Sequence, residues 1–210
     1  SPESLMVDRA VLRTVAYADV FDYPLRAAEI HRYVHGVAAT WATTAMALER
    51  CVAPGGPLSC QEGCYMLRGR EDLVHQRRRR AAHATRLWPS AVWYGTLFGK
   101  VPFVRMVAVT GSLAWDNVES TGDIDYLIVT EAKRLWLCRL LLSAIARVAR
   151  LSGVSLCINY VISERALALA ERDLYTAYEL AHMRPVAGLA VYQQMRQLNA
   201  WTGSHLPNAF

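Results

Sequence analysis

The chain has 210 residues, 53% hydrophobic and 20% charged, with a formal net charge of +5. This excludes a disordered or fibrous chain and leaves a globular one, long enough for one large domain or two small ones. Arg139 and Arg147 interrupt the most apolar run, Leu135 to Leu151. No membrane partner is therefore expected, and the run reads as a buried helix. Five cysteines, an odd number partly set in apolar runs, fit the reduced thiols of a cytoplasmic protein better than a disulfide framework.

From the N-terminus, Asp8 to Val20 carries Val11, Leu12, Val15, Ala16 and Val20 at roughly helical spacing. Pro24 in "DYPL" disfavours helix at the residue before it. A second helix is expected from about Arg26 to His35, stopping at Gly36, and a third from about Ala39 to Cys51, ended by "APGGP". "LSC" and "CYMLR" then flank "QEG" as a short hairpin. Three helices and a hairpin in this order predict a winged helix-turn-helix unit over residues 1–68. The third helix, "TWATTAMALERC", has Glu49 and Arg50 as its only charges. A helix that reads DNA carries Arg, Lys, Asn or Gln toward base edges and phosphates. Nucleic acid is therefore the less favoured partner. A scaffold or protein-docking role is preferred, and the apolar third helix fits a homodimer.

Residues 69–100 read as a basic connecting helix. Between Arg68 and Lys100 stand eight basic residues, among them the run Arg77 to Arg80, against Glu71 and Asp72. Such a run is either a solvated helix face or a cation cluster near a substrate's phosphates. Pro89 marks a place for an interruption.

Residues 101–164 change pattern. "VRMVAV", "DIDYLIVT" and "VSLCINYVI" read as short strands, with an apolar helix from about Ala132 to Leu151 between the last two. Residues 165–210 read as helical: about Arg165 to Met183, a break at Pro185, then about Leu189 to Trp201. The fold class is α/β (α+β), a small mixed sheet between helical ends.

The chemistry concentrates in "TGSLAWDNVESTGDIDYLIVT", residues 110–130. On a strand, i and i+2 face the same way, so Asp123 and Asp125 project together, about 7 Å apart along the chain. Two carboxylates so placed suit a hard divalent ion such as Mg2+. Gly111 lets backbone approach a ligand, and Ser112 offers a hydroxyl and an N–H to a phosphate oxygen. The stretch therefore reads as a phosphate cradle beside a metal site.

A strand, a Gly-Ser pair, ten intervening residues and Asp-x-Asp on the next strand resemble the DNA polymerase beta-like nucleotidyltransferase superfamily. The chain is also similar to bacterial nucleotidyltransferase-domain proteins with a "YADVFDYPL"-type winged helix unit. "SLCINYV", "DLYTAYELAHMRP" and "NAWTGSHLPN" extend that similarity over nearly the whole chain. The resemblance implies Gly111 and Ser112 on the phosphates of a nucleoside triphosphate, ATP first among the donors. It implies Asp123 and Asp125 on Mg2+ or Mn2+, and transfer of a nucleoside monophosphate group to an acceptor hydroxyl. The third helix, lacking reading side chains, favours a small molecule or protein over a nucleic acid end as that acceptor.

One part departs. Active members of that superfamily usually carry a third carboxylate on a later strand. The matching position here falls near Cys157 or Asn159, and neither is acidic. Asn159 offers a carbonyl oxygen but no charge. Three alternatives stand: one metal suffices; Asp116, Glu119, Glu164 or Glu179 folds in; or the chain is a degenerate nucleotide-binding regulatory module that docks a protein or DNA partner through its winged helix unit. Tyr175, Tyr178, Glu179 and His182 share one helical face, either as packing or as an acceptor-side wall.

Overall fold

Val7, Ala10, Val11, Thr14, Val15 and Ala18 recur every three or four residues and form the buried stripe of helix α1 (Pro2–Asp19). In the computed structural model, which describes residues 2–210, α1 is followed by β1 (Leu25–Arg26), α2 (Ala27–Arg32), α3 (Trp41–Val52), β2 (Leu58–Gln61) and β3 (Cys64–Leu67). Then come α4 (Leu73–Gly99), β4 (Val104–Thr110), α5 (Gly111–Ala114), β5 (Ile124–Thr130), α6 (Leu135–Leu151) and β6 (Leu156–Ser163). The chain finishes with α7 (Leu174–His182), β7 (Arg184–Ala187), α8 (Leu189–Leu198) and α9 (Thr202–His205). The architecture is mixed α/β with two small sheets. Residues through Arg79 join Trp201–Phe210 in one unit, and Arg80–Ala200 form the other.

In the first unit the strand order is β1-β3-β2, all antiparallel. Glu62 and Gly63, at φ 54° and 74°, supply the two left-handed residues that a two-residue hairpin favours. Thr40 caps α3 by accepting the Thr43 N–H at 3.2 Å. The C-terminal residues return to this unit. Asn208 Nδ2 donates to the carbonyls of His31 (2.8 Å) and Ala39 (2.9 Å), and the Gly36 N–H donates to the His205 carbonyl (2.8 Å).

In the second unit the order is β6-β5-β4-β7, with β5 and β6 parallel and the other pairs antiparallel. On one face Val107, Val109, Ile124, Tyr126 and Ile128 pack with Ala84, Ala91 and Phe98 of α4 and Cys138 and Leu142 of α6. The three α4 residues are seven apart and so fall on one stripe. Full burial of Phe98 or Leu142 contributes about 1.5–3 kcal/mol each. Tyr126 donates its hydroxyl to the Ala91 carbonyl at 2.6 Å. Gly95 lets α4 come close to β7: an added Cβ would lie 2.9 Å from Val186 Cγ1.

Four expectations change. The basic helix runs unbroken through Pro89. Helix α6 is not buried all round: Cys138, Leu142 and Ala149 face inward, while Trp136 is 79% and Leu151 85% exposed. A single sheet face takes only one stripe of a helix. The tail is not one long helix from Arg165. α7 begins at Leu174, where the Asp173 carboxylate accepts the Thr176 N–H at 2.8 Å, and "RPVA" is strand β7. Pro185 is tolerated there because β7 is an edge strand. The fourth change is in β6. Its register slips one residue, so Tyr126 pairs with Ile158 but Leu127 with Tyr160. Asn159 is the extra residue of a bulge, and the alternation expected for this strand reverses beyond it.

Candidate active site

The strand pairing brings the two halves of the motif together. β4 ends where β5 begins, and Thr110 lies directly across from Asp125. Gly111 follows at φ 63°, opening α5. A Cβ at this position would overlap Asp125 Oδ2 and sit 3.1 Å from its Cγ. Positive φ and this contact together select glycine. Ser112 is exposed on the next position, its carbonyl accepting the Asn117 N–H at 2.9 Å.

Asp123 is exposed and Asp125 half-buried. Burial, with the Asp123 charge beside it, raises the Asp125 pKa above the usual carboxylate range, while a hydrogen bond from the Cys157 thiol acts the other way. Cys157 is the parallel-strand neighbour of Asp125. Burial, and then the bond and charge of Asp125, push its thiol up to about 11. Asn159 sits exposed at the bulge and does not pair with Asp125.

The sequence left four acids as alternatives for a further carboxylate. Asp116 accepts from Trp88 Nε1 (2.7 Å) and Arg184 (2.8 Å). Glu119 pairs with Arg80 at 2.5 Å. Glu164 stands at the other end of β5 and accepts the Ala132 N–H at 3.1 Å. Glu179 is the one brought to the motif. Its carboxylate accepts the Gly111 N–H; burial first, and then the Asp125 charge, raise its pKa.

The helical face predicted on α7 splits in two. Tyr175 and Glu179, one turn apart, line a cavity of about 290 Å3 on the second face of the sheet. Tyr178 and His182, also one turn apart, stack on Trp115 with ring centroids 5.3 and 3.6 Å away. The arginine run fans around α4 rather than forming one cluster. Arg77 bonds Glu29 at 2.8 Å, Arg78 pairs with Glu62, and Arg80 bonds Asn117 and Glu119. Arg80 thus anchors the loop that leads into Asp123.

Among the described residues no three His, Cys, Asp or Glu side chains converge as a preformed metal cage. Mg2+ does not require one, since it keeps several waters and is commonly held by one or two carboxylates plus substrate phosphates. Asp123 and Asp125 are that kind of donor set. Sequence reasoning missed the Thr110 hydroxyl, which lines the cavity, and no pattern in "VAVTGS" marks it. No helix among the described residues is long and apolar enough to cross a membrane. Comparisons with family models, curated proteins and solved structures give no match.

Proposed function

We propose that the chain is a Mg2+-dependent nucleotidyltransferase of the DNA polymerase beta-like kind. It moves a nucleoside monophosphate group, AMP from ATP first among the donors, onto a hydroxyl and releases pyrophosphate. The observation that carries this reading is the contact between Gly111 and Asp125, which joins the phosphate turn and the paired carboxylates at one strand end.

In this reading Asp123 and Asp125 hold the divalent cation, and Gly111 and Ser112 face the phosphates. The bound cation would supply neutralisation of the phosphates and of the leaving pyrophosphate. Glu179 stands in for the third carboxylate and takes the acceptor's proton, a task its raised pKa favours. The unit with the β1-β3-β2 sheet is read as winged-helix-like. Its α3 presents Trp41, Thr43 and Met46 outward, and Arg50 is held by Asp8 at 2.7 Å. That supports docking of a protein, or of a second copy, over nucleic acid reading.

One observation favours a second reading. Glu179 occupies the Gly111 N–H, a donor that a phosphate would use. On that reading the core is degenerate and binds nucleotide to regulate a docked partner. Thermal unfolding with ATP, GTP, CTP and UTP, with and without Mg2+, tests the site. A ligand at 100 times its dissociation constant stabilises by about 2.7 kcal/mol. The expected result is a Mg2+-dependent shift for one nucleotide, lost in Asp123→Asn/Asp125→Asn. No shift for any nucleotide in a folded protein overturns both readings. A shift with no transfer product from any acceptor leaves the second.

A further inference from the structure

The cavity beside the motif has a composition that points to its occupant. Its floor is Leu127, Leu180, Met183 and Met195, each more than nine-tenths buried, and its rim carries the exposed rings of Tyr160 and Tyr175. Its polar lining is Thr110, Glu171, Thr176 and Glu179. Of these, Thr110 is 2% exposed, and its Oγ1 has no hydrogen-bond partner among the described residues. Buried hydroxyls are nearly always paired, so an unpaired one lining a cavity marks where a ligand's polar atom belongs. Glu179 lines the same cavity and accepts from Gly111, and Thr110 is the cross-strand neighbour of Asp125. Thr110 and Glu179 therefore mark the part of the cavity beside the carboxylates.

We propose that this cavity is the acceptor site, and that the acceptor is a small, mostly apolar molecule with one alcohol or phenol hydroxyl held between Thr110 and Glu179. This rests on the transferase reading and names its substrate class. At about 30 Å3 per water molecule, 290 Å3 holds about ten such volumes. That is room for a ring system or a short branched chain. A sugar or polyol would press unpaired hydroxyls against Leu127 and Met195 and is rejected. In the step, the acceptor oxygen bonds to the α-phosphorus. The bond from that phosphorus to the pyrophosphate oxygen breaks, its electron pair leaving with pyrophosphate. The hydroxyl proton passes to the Glu179 carboxylate.

The test is fluorescence titration of the nucleotide-free protein with 2-naphthol, and with naphthalene as the same body without a hydroxyl. The expected result is single-site binding of 2-naphthol, weakened at least tenfold by Leu169→Trp, which fills the cavity from its loop side. Thr110→Val keeps the shape and is expected to weaken 2-naphthol at least fivefold while leaving naphthalene unchanged. Should Leu169→Trp fail to fold, Thr110→Val decides alone. The proposal is overturned if 2-naphthol does not bind a natively folded chain, if Leu169→Trp folds and binds it unchanged, or if Thr110→Val leaves 2-naphthol binding intact or weakens both ligands alike. A Mg2+-dependent nucleotide shift without 2-naphthol binding removes the acceptor class and leaves the transferase. Binding of 2-naphthol with no nucleotide shift removes the transferase, and the acceptor role with it.

Discussion

Asn199 is 1% exposed at the end of α8, and its side chain is fully used. Nδ2 donates to the carbonyls of Leu167 (2.7 Å) and Met195 (2.8 Å), and Oδ1 accepts the Leu169 N–H (2.9 Å). Asn199→Ala leaves these groups without the partner that holds the 164–173 loop. It should cost about 3 kcal/mol in urea unfolding. Gly111 and Gly153 offer a controlled pair. Both have positive φ, but an added Cβ at Gly153 meets nothing within 4 Å, whereas at Gly111 it meets Asp125. Alanine at either site should cost about 1–2 kcal/mol through the backbone. Only Gly111→Ala should also abolish the Mg2+-dependent nucleotide shift. His35 sets the acid limb of stability. Burial, reinforced by Arg13 and His205, lowers its pKa from 6.5 to about 4, so the native state binds fewer protons than the unfolded one. Its contribution is complete above pH 6.5 and is lost as pH falls toward 4, on the order of 3 kcal/mol in all. His35→Gln should flatten the stability profile across that window, read from denaturation midpoints at a series of pH values.

Elements differ in how far their residues announced them. α1, α3 and the β2–β3 hairpin were legible as elements from local signals: Val11 and Val15 at helical spacing, "APGGP" after the third helix, and "QEG" between two short runs. The stripe itself differs, since Val20 was expected in it and is exposed, while Val7, Ala10, Thr14 and Ala18 complete it. β7 was not. "RPVA" lacks alternation and contains proline, and it becomes a strand only because β4 offers it a free edge. The wall of the cavity was hidden for a similar reason. Strict alternation places Tyr160 with Ile158, and only the bulge at Asn159 moves it to the side of Leu127. That Asp123 and Asp125 share one face, at the end of a strand, was legible from their i, i+2 spacing. Glu179 could be named only as one of four acids, because its approach to Gly111 joins positions 68 residues apart in the chain. Helix α6 shows apolarity outrunning burial. Trp136, Leu140 and Val148 are 79%, 68% and 63% exposed, a patch of the kind that drives association. Leu140→Lys/Val148→Glu should change unfolding free energy by no more than about 0.5 kcal/mol while lowering light scattering in concentrated solution.

At the scale of the whole molecule, the segment boundaries are the least local feature. Residues 201–210 belong with the N-terminal unit through contacts such as Asn208 to His31, 177 positions apart, which no window of sequence contains. The charge pattern is also redistributed by folding. The window from Arg68 to Lys100 reads as a concentrated cation, yet Arg70, Arg77, Arg78 and Arg80 are each ion-paired. The four-stranded sheet has a last consequence. Its outer strands are β6 and β7, one carrying the bulge at Asn159 and the other Pro185. A bulge and a missing N–H are two ways to stop a foreign strand from adding to an edge. Both edges of this sheet are therefore blunted against strand addition. Copies that associate at high concentration should collect as amorphous aggregate rather than as fibres that bind thioflavin T. Removing both blocks, by deleting Asn159 and replacing Pro185 with Thr, should open the route to fibres.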